Sequence, residues 1–135
     1  MKVVIDTNIL VMALSSKSPF HDIISKLKEG VYELVVTNDV LLEYEEIIII
    51  KYGEFSAKLF LILIEELPNV HFIRTYFHFN IIEQDPDDNK FIDASFAANA
   101  RYLVTEDSHF KILKKVEYPQ IDVIGIEEFL KILRG

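Results

Sequence analysis

The chain has 135 residues, half of them hydrophobic, a formal net charge of −8 and no cysteine. This length predicts a single domain over residues 1–135, and the absence of cysteine excludes disulfides and thiolate zinc sites. Because no apolar run reaches the ~18 residues of a membrane span and the N-terminus lacks the regions of a signal peptide, we expect a soluble cytoplasmic protein with no membrane partner.

Strand and helix patterns alternate along the chain. In chain order the predicted elements are a strand at 2–5, helices at 8–14 and 18–30, a strand at 32–36, a helix capped by Thr37 or Asn38 and ended by Gly53, a helix at 54–66, a strand at 70–81, a helix at 88–100, a strand at 102–104, a helix at 108–115, a strand at 121–126 and a helix at 127–133. This alternation predicts an α/β fold with a parallel sheet and right-handed crossovers.

Acidic residues follow two of these strands at their carboxyl ends. Asp6 closes the strand at 2–5, and Asp107 comes shortly after the strand at 102–104. In open α/β sheets, ligands bind outside the carboxyl ends of the strands, where the strand order reverses. Carboxylates that repel each other are gathered there by a bound cation, and the hard cations Mg²⁺ and Mn²⁺ prefer oxygen ligands.

The net charge of −8 allows two interpretations. Nucleic-acid binding normally depends on Lys and Arg contacts with phosphates, so the surface of this protein can simply avoid nucleic acid. Alternatively, much of the acidity is concentrated at one metal site, where bound cations invert the local field. Composition alone favours the first interpretation.

Asp6 and Glu43 each have a structural alternative to a role in metal binding. Asp6 can cap the following helix, an explanation as good as metal binding when the residue is taken alone, and Asn8 can orient its carboxylate. Glu43 competes with Glu45 and Glu46, since ~100° per residue does not separate the three cleanly on the helix. Spacing gives Glu43 only a slight preference.

Asp88 has the clearer helical geometry. It shares one helix face with Phe91 and Ile92, which places its carboxylate at the top of the buried stripe. On the same helix Asp93 is predicted to point roughly the opposite way. We therefore choose Asp88 as the acidic residue of this segment.

The remaining acidic residues near helix starts have capping roles as alternatives. Asp85 and Asp87 suit caps or dipole partners at the start of the helix, and Asp85 can also order the turn through Pro86. Asp107 can cap the helix that follows it, and the Thr105 hydroxyl can hold a carboxylate or a phosphate.

The ordered set of acidic segments resembles the PIN domain family, in particular the small toxin-like PIN nucleases related to the VapC toxins. The resemblance covers nearly the whole chain. The residues that match the family lie in four stretches: 4–10 (VIDTNIL), 40–47 (VLLEYEEI), 85–94 (DPDDNKFIDA) and 102–107 (YLVTED). The first and last of these are fairly specific, and the glutamate stretch is the loosest.

The resemblance implies a three-layer α/β/α fold with a central, mainly parallel sheet. It also implies a Mg²⁺- or Mn²⁺-dependent endoribonuclease, a toxin component with an antitoxin partner, and a homodimer. By resemblance, the catalytic and metal-binding quartet is Asp6, Glu43, Asp88 and Asp107, supported by Asn8, Thr105 and Asp85. Divalent ions held by such carboxylates supply charge stabilisation and an activated water for phosphodiester hydrolysis.

Two alternatives remain open at this point: a PIN-fold module that binds RNA or protein without cleaving, and an RNA-processing nuclease outside toxin–antitoxin systems. His109 lies two residues after Asp107 and could touch substrate, although lone histidines more often have surface or capping roles. Four lysines could hold the RNA backbone, and solvated helix faces explain them equally well: Lys90, Lys111, Lys114 and Lys115.

Overall fold

A computed structural model of the chain describes residues 1–75, 78, 80–82, 86–115 and 121–135, with only the backbone described for residues 86, 114 and 115. Its strands are β1 Lys2–Ile5, β2 Glu33–Val36, β3 Val70–Phe72, β4 Tyr102–Val104 and β5 Val123–Ile124. Its α-helices are α1 Thr7–Ala13, α2 Asp22–Lys28, α3 Asn38–Tyr52, α4 Glu54–Glu66, α5 Asn89–Ala97 and α6 Ile126–Arg134. Two 3-10 segments, Pro86–Asp88 and Ser108–Lys115, complete the elements.

The five strands form one sheet in the order β3-β2-β1-β4-β5, and all four pairings are parallel. This result confirms the α/β fold with a parallel sheet that the alternating pattern predicts. The strand order reverses between β1 and β4, because the chain leaves β1 toward β2 and later returns to the other side of β1. A crevice therefore opens beyond the carboxyl ends of these two strands.

β1 is the central strand, and its side chains at Val3, Val4 and Ile5 are fully buried. A strand covered on both faces needs a continuous apolar sequence, which residues 3–5 provide. Each such side chain contributes about 1.5–3 kcal/mol when it is removed from water. The residue that follows β1 is thus held on a rigid strand in the middle of the molecule.

Helix α3 has a well-defined start and end. The Thr37 hydroxyl accepts a hydrogen bond from the backbone N–H of Val40, which makes Thr37 rather than Asn38 the N-cap. Gly53 ends the helix with a φ of 95°, a left-handed conformation that favours glycine. The predicted start and end of this helix are confirmed.

Several predicted elements are shorter in the structure. The strand predicted at 70–81 ends at Phe72, which pairs with Val36, the last residue of β2. Beyond Val36 the chain turns into α3, so no strand remains to pair with residues 73–75. Residues 76, 77 and 79 lie outside the described part of the chain. Likewise, the strand predicted at 121–126 contains only Val123–Ile124, because β4 offers it only two partners.

Three predicted helices also differ. The helix predicted at 18–30 begins at Asp22, after a series of turns, and the one predicted at 88–100 is preceded by a 3-10 turn and ends at Ala97. The segment at 108–115 is a 3-10 helix rather than an α-helix. In the described ranges, no helix is both long and apolar enough to cross a membrane.

Candidate active site

The ends of β1 and β4 meet at the reversal of strand order. Ile5 pairs with Val104, and the backbone N–H of Asp6 donates to the Val104 carbonyl oxygen at 2.9 Å. The next residues on the two strands, Asp6 and Thr105, are therefore neighbours although 99 positions separate them in the chain. This pairing explains why side chains that follow the two strands in the sequence lie next to each other in the structure.

Asp6 and Thr105 form the buried centre of this region, with 6% and 5% exposure. The Thr105 hydroxyl donates to Asp6 Oδ2 at 2.7 Å and accepts a hydrogen bond from the Asp107 backbone N–H at 3.0 Å. Asp6 occupies the N-cap position of α1, but its side chain makes no capping bond there. Thr105, rather than the helix, thus orients the Asp6 carboxylate.

The Asp6 carboxylate lies in an unfavourable electrostatic environment. Burial raises its pKa above the ordinary value of 3.8, and the nearby carboxylates of Glu43 and Asp107 raise it further, while hydrogen bonds from Thr105 and the Thr7 backbone oppose the increase. Removal from water and like charges both disfavour the ionised form. A cation bound at this place would relieve both effects.

The raised pKa of Asp6 predicts a pH-dependent difference in stability between the metal-free wild type and an Asp6→Asn variant. The folded protein binds the Asp6 proton more tightly than the unfolded chain does. Protonation of Asp6 therefore stabilises the fold below the ordinary pKa, and this stabilisation is lost as pH rises through the raised pKa. We expect the variant to gain stability relative to wild type as pH rises through this window. Urea unfolding in EDTA at a series of pH values measures the difference, and a difference independent of pH would contradict the prediction.

Glu43 reaches the site from the middle of α3. Its neighbour Tyr44 is fully buried, and the Tyr44 hydroxyl donates a hydrogen bond to the Ile5 carbonyl, which fixes α3 against the end of β1. The Glu43 side chain is 25% exposed, and its Oε2 accepts a hydrogen bond from Lys90 Nζ. Tyr44 therefore positions Glu43 close to Asp6, a constraint that helical spacing alone does not reveal.

Lys90 is the cation that accompanies Glu43. Burial alone would lower the pKa of Lys90, but the hydrogen bond and charge of Glu43, with the charges of Asp87 and Asp39, produce a net rise. Lys90 therefore carries its proton at neutral pH and places a positive charge beside the carboxylates.

Asp88, Asp107 and His109 form a second group of side chains at the mouth of the site. His109 Nδ1 lies 3.3 Å from Asp88 Oδ2 and 3.5 Å from Asp107 Oδ1. One ligand atom from each of the three residues lies within 4.8 Å of the other two, an arrangement that can hold a metal ion. Asp107 also has the capping role considered for it, because its Oδ1 accepts a hydrogen bond from the His109 backbone N–H at 2.9 Å.

Asp93 does not point away from the buried face as predicted. It is 5% exposed, and its Oδ2 lies 3.1 Å from His78 Nδ1. Helix α5 packs against β1 and β4, and the Asn89 side chain accepts from the backbone N–H groups of Ile81 and Ile82. The segment before the helix thus covers part of α5 that the helical pattern alone assigns to solvent.

An open cavity of about 520 Å³ adjoins Glu43 and Lys90. Its lining is strongly acidic and includes Asp39, Glu43, Glu46, Asp87 and Asp93, together with Leu42, His78, Asn80, Asn89 and Lys90. A slightly larger cavity of about 600 Å³, bounded by residues 14–28 and 52–63, contains none of the predicted site residues. The acidic lining, which includes Glu43 from the predicted quartet but not Asp6, Asp88 or Asp107, distinguishes the first cavity from the second.

Two further residues were predicted to support the site. Asn8 lies outside this arrangement, exposed on α1, and Asp85 is not among the described residues. The sequence suggested a substrate contact for His109 but not its proximity to Asp88, and it placed Asp93 on the opposite face of its helix. The position of His109, two residues beyond Asp107 in a short turn, was the signal that could have indicated its proximity to the carboxylates.

Comparisons with known proteins agree with this fold. The family model for the PIN domain matches residues 2–109. The structure of VapBC2 from Rickettsia felis, bound to a DNA fragment from its promoter, is similar with a TM-score of 0.60 and 18% identity, over 93% of this chain and 98% of that chain. A PilT N-terminus domain protein from Sulfolobus solfataricus P2 gives a TM-score of 0.57 and 20% identity, over 98% and 93% of the two chains. No curated protein matches the sequence significantly.

Proposed function

The chain belongs to the PIN domain family, and from this premise we propose that it is a Mg²⁺- or Mn²⁺-dependent endoribonuclease that hydrolyses RNA phosphodiester bonds. The observation that supports this proposal best is the buried Asp6 carboxylate. Thr105 holds it in place, and the charges of Glu43 and Asp107 act on it. Protein folding alone does not favour such a concentration of like charge, whereas cation binding does.

The donor atoms at the site suit a hard divalent cation. Four carboxylates, those of Asp6, Glu43, Asp88 and Asp107, would hold it, and oxygen is the ligand that Mg²⁺ and Mn²⁺ prefer. Thr105 supports Asp6 and Asp107 through its hydroxyl. For Asn8 and Asp85 we propose supporting roles that rest on the sequence resemblance.

A bound cation would stabilise negative charge on the phosphate oxygens and lower the pKa of a bound water. The protein's own side chains position the reactants. Asp6 stays fixed because Thr105 and the buried strand β1 restrain it. For Glu43 we propose either direct binding of the cation or orientation of the attacking water, since it lines the open cavity while its carboxylate lies near Asp6. Lys90, held beside Glu43, can attract the RNA backbone.

The cellular role that we propose is that of a toxin, acting in the cytoplasm as a homodimer and controlled by an antitoxin protein. The similarity in fold to VapBC2 of Rickettsia felis supports this context. The alternatives are a role in RNA processing outside toxin–antitoxin systems, and a non-catalytic module that binds RNA or protein.

Cleavage of a structured, fluorophore-labelled RNA with Mg²⁺ or Mn²⁺ tests the proposed activity. We expect metal-dependent cutting that EDTA abolishes and that Asp88→Asn reduces about 100-fold or more, because the substitution keeps the shape but removes a ligand charge. Asp122→Asn is the matched control, since Asp122 pairs with Arg101 on the surface and its loss should change the rate less than about twofold.

Three other results would change the proposal. No cutting of several RNAs by folded, metal-loaded wild type would favour the non-catalytic binding module. Cutting that survives Asp88→Asn would indicate a contaminating nuclease or a different site. Equal cutting of single-stranded DNA of the same sequence would replace the RNA substrate with a broader nuclease activity.

A further inference from the structure

We infer that His109 is a nitrogen ligand of the divalent cation, and that the site therefore selects first-row transition metals over Mg²⁺. This inference rests on the proposed function, because it assumes that a cation binds between Asp88 and Asp107. It adds a residue outside the acidic quartet and names the class of metal that the site prefers. The quartet alone would offer only oxygen ligands.

The spacing of the three side chains agrees with ligands around one ion. Two neighbouring ligands about 2.1 Å from a metal lie roughly 3.0 Å apart in an octahedron and about 3.4 Å apart in a tetrahedron. His109 Nδ1 is 3.3 Å from Asp88 Oδ2 and 3.5 Å from Asp107 Oδ1. The nitrogen therefore needs only a small adjustment to share a cation with both carboxylates.

The backbone holds His109 in this position. Its N–H donates to Asp107 Oδ1 at 2.9 Å, so the turn that carries the imidazole is tied to one of the carboxylates. The following residue, Phe110, is fully buried and contacts the ring of Phe91 on α5, the helix that begins directly after Asp88. Both segments that supply ligands are thus joined by a core contact.

The chemistry of an imidazole nitrogen determines which metals gain from it. Imidazole suits Zn²⁺, Cu²⁺, Fe²⁺ and Ni²⁺. Mn²⁺ prefers oxygen but accepts an imidazole nitrogen more readily than Mg²⁺, which binds almost only oxygen and retains several waters. One nitrogen added to carboxylates should raise the affinity for Mn²⁺ and Co²⁺ while contributing little to Mg²⁺ binding. The alternative explanation is a protonated His109 that only forms ion pairs with Asp88 and Asp107.

Pulsed EPR of the Mn²⁺-loaded protein distinguishes the two explanations without any activity assay. We expect ¹⁴N hyperfine coupling from a directly bound imidazole in the wild type. His109→Asn should abolish this coupling and weaken Mn²⁺ binding roughly 10-fold, because the amide offers only a weak oxygen ligand. Mg²⁺ affinity, measured by competition, should change less than about threefold.

The matched control is His78→Asn. His78 also contacts an aspartate, Asp93, and it lines the cavity beside Glu43, but it lies outside the group of Asp88 and Asp107. We expect the ¹⁴N coupling to survive this substitution. The His109 side chain is 36% exposed, so both variants should fold, and circular dichroism checks this point.

The outcomes of this experiment separate the role of His109 from the metal dependence of the proposed nuclease. Stoichiometric Mn²⁺ binding without ¹⁴N coupling, or coupling that survives His109→Asn, would overturn the role of His109 and leave the metal-dependent nuclease intact. Failure of the folded wild type to bind Mn²⁺ would overturn both the inference and the metal dependence of the proposed function. Coupling lost only in His109→Asn supports the inference.

Discussion

Replacing Asp6 with asparagine is expected to abolish RNA cleavage while leaving the metal-free fold at least as stable as the wild type at neutral pH. The carboxylate is buried, and burial together with Glu43 and Asp107 raises its pKa. Asparagine keeps an oxygen that can accept the hydrogen bond from Thr105 and turns an amide group toward the neighbouring acids. The loss of charge should reduce cleavage about 100-fold or more, as for other groups that stabilise charge in a transition state.

The rate of RNA cleavage and the free energy of unfolding in urea, both at neutral pH, measure the two effects. Asp22→Asn serves as the control, because Asp22 forms a surface ion pair with Arg134 and should affect either quantity only slightly. A variant that is less stable than wild type, with cleavage retained, would contradict both parts of the prediction. It would mean that Asp6 is a structural residue of the core.

Replacing Phe110 with alanine is expected to cause the largest loss of stability at the site, about 3–5 kcal/mol. The Phe110 ring is fully buried and meets the Phe91 ring edge to face at a centroid distance of 6.3 Å. This contact joins the 3-10 segment after Asp107 to the helix after Asp88. We therefore expect Mn²⁺ affinity to fall as well, even where the variant is still folded.

Ile112→Ala is the matched control for Phe110→Ala. Ile112 lies in the same 3-10 segment, but its side chain is 39% exposed, so its truncation should cost less than about 1 kcal/mol. Urea denaturation of the two variants gives the comparison. Equal losses would show that the segment is not anchored through Phe110.

The parallel sheet was predictable because its strands are short apolar runs between helical segments. β1 and β4 carry consecutive buried residues, a pattern that central strands of parallel sheets require. The lengths of β3 and β5 were not predictable in the same way. The alternating pattern at 70–81 describes one chain only, whereas a strand ends where its partner ends, and β2 ends at Val36.

The sequence predicts which side chains are neighbours where their positions on paired strands decide the geometry. Asp6 and Thr105 follow two paired strands, so the carboxyl ends of the sheet bring them together. His109 and Asp93 depend on tertiary contacts instead. The first approaches Asp88 from a turn 21 residues away, and the second is covered by the segment before α5. Helical periodicity contains no information about such neighbours.

The hydrogen bond between Thr105 and Asp6 joins the first strand to one that is synthesised almost 100 residues later. During translation, the N-terminal half of the chain is made before β4, Thr105 and Asp107 exist. A nascent or truncated chain therefore lacks the side chains that complete the site. On the proposed function, a chain that is still on the ribosome would not cleave RNA until β4 pairs with β1.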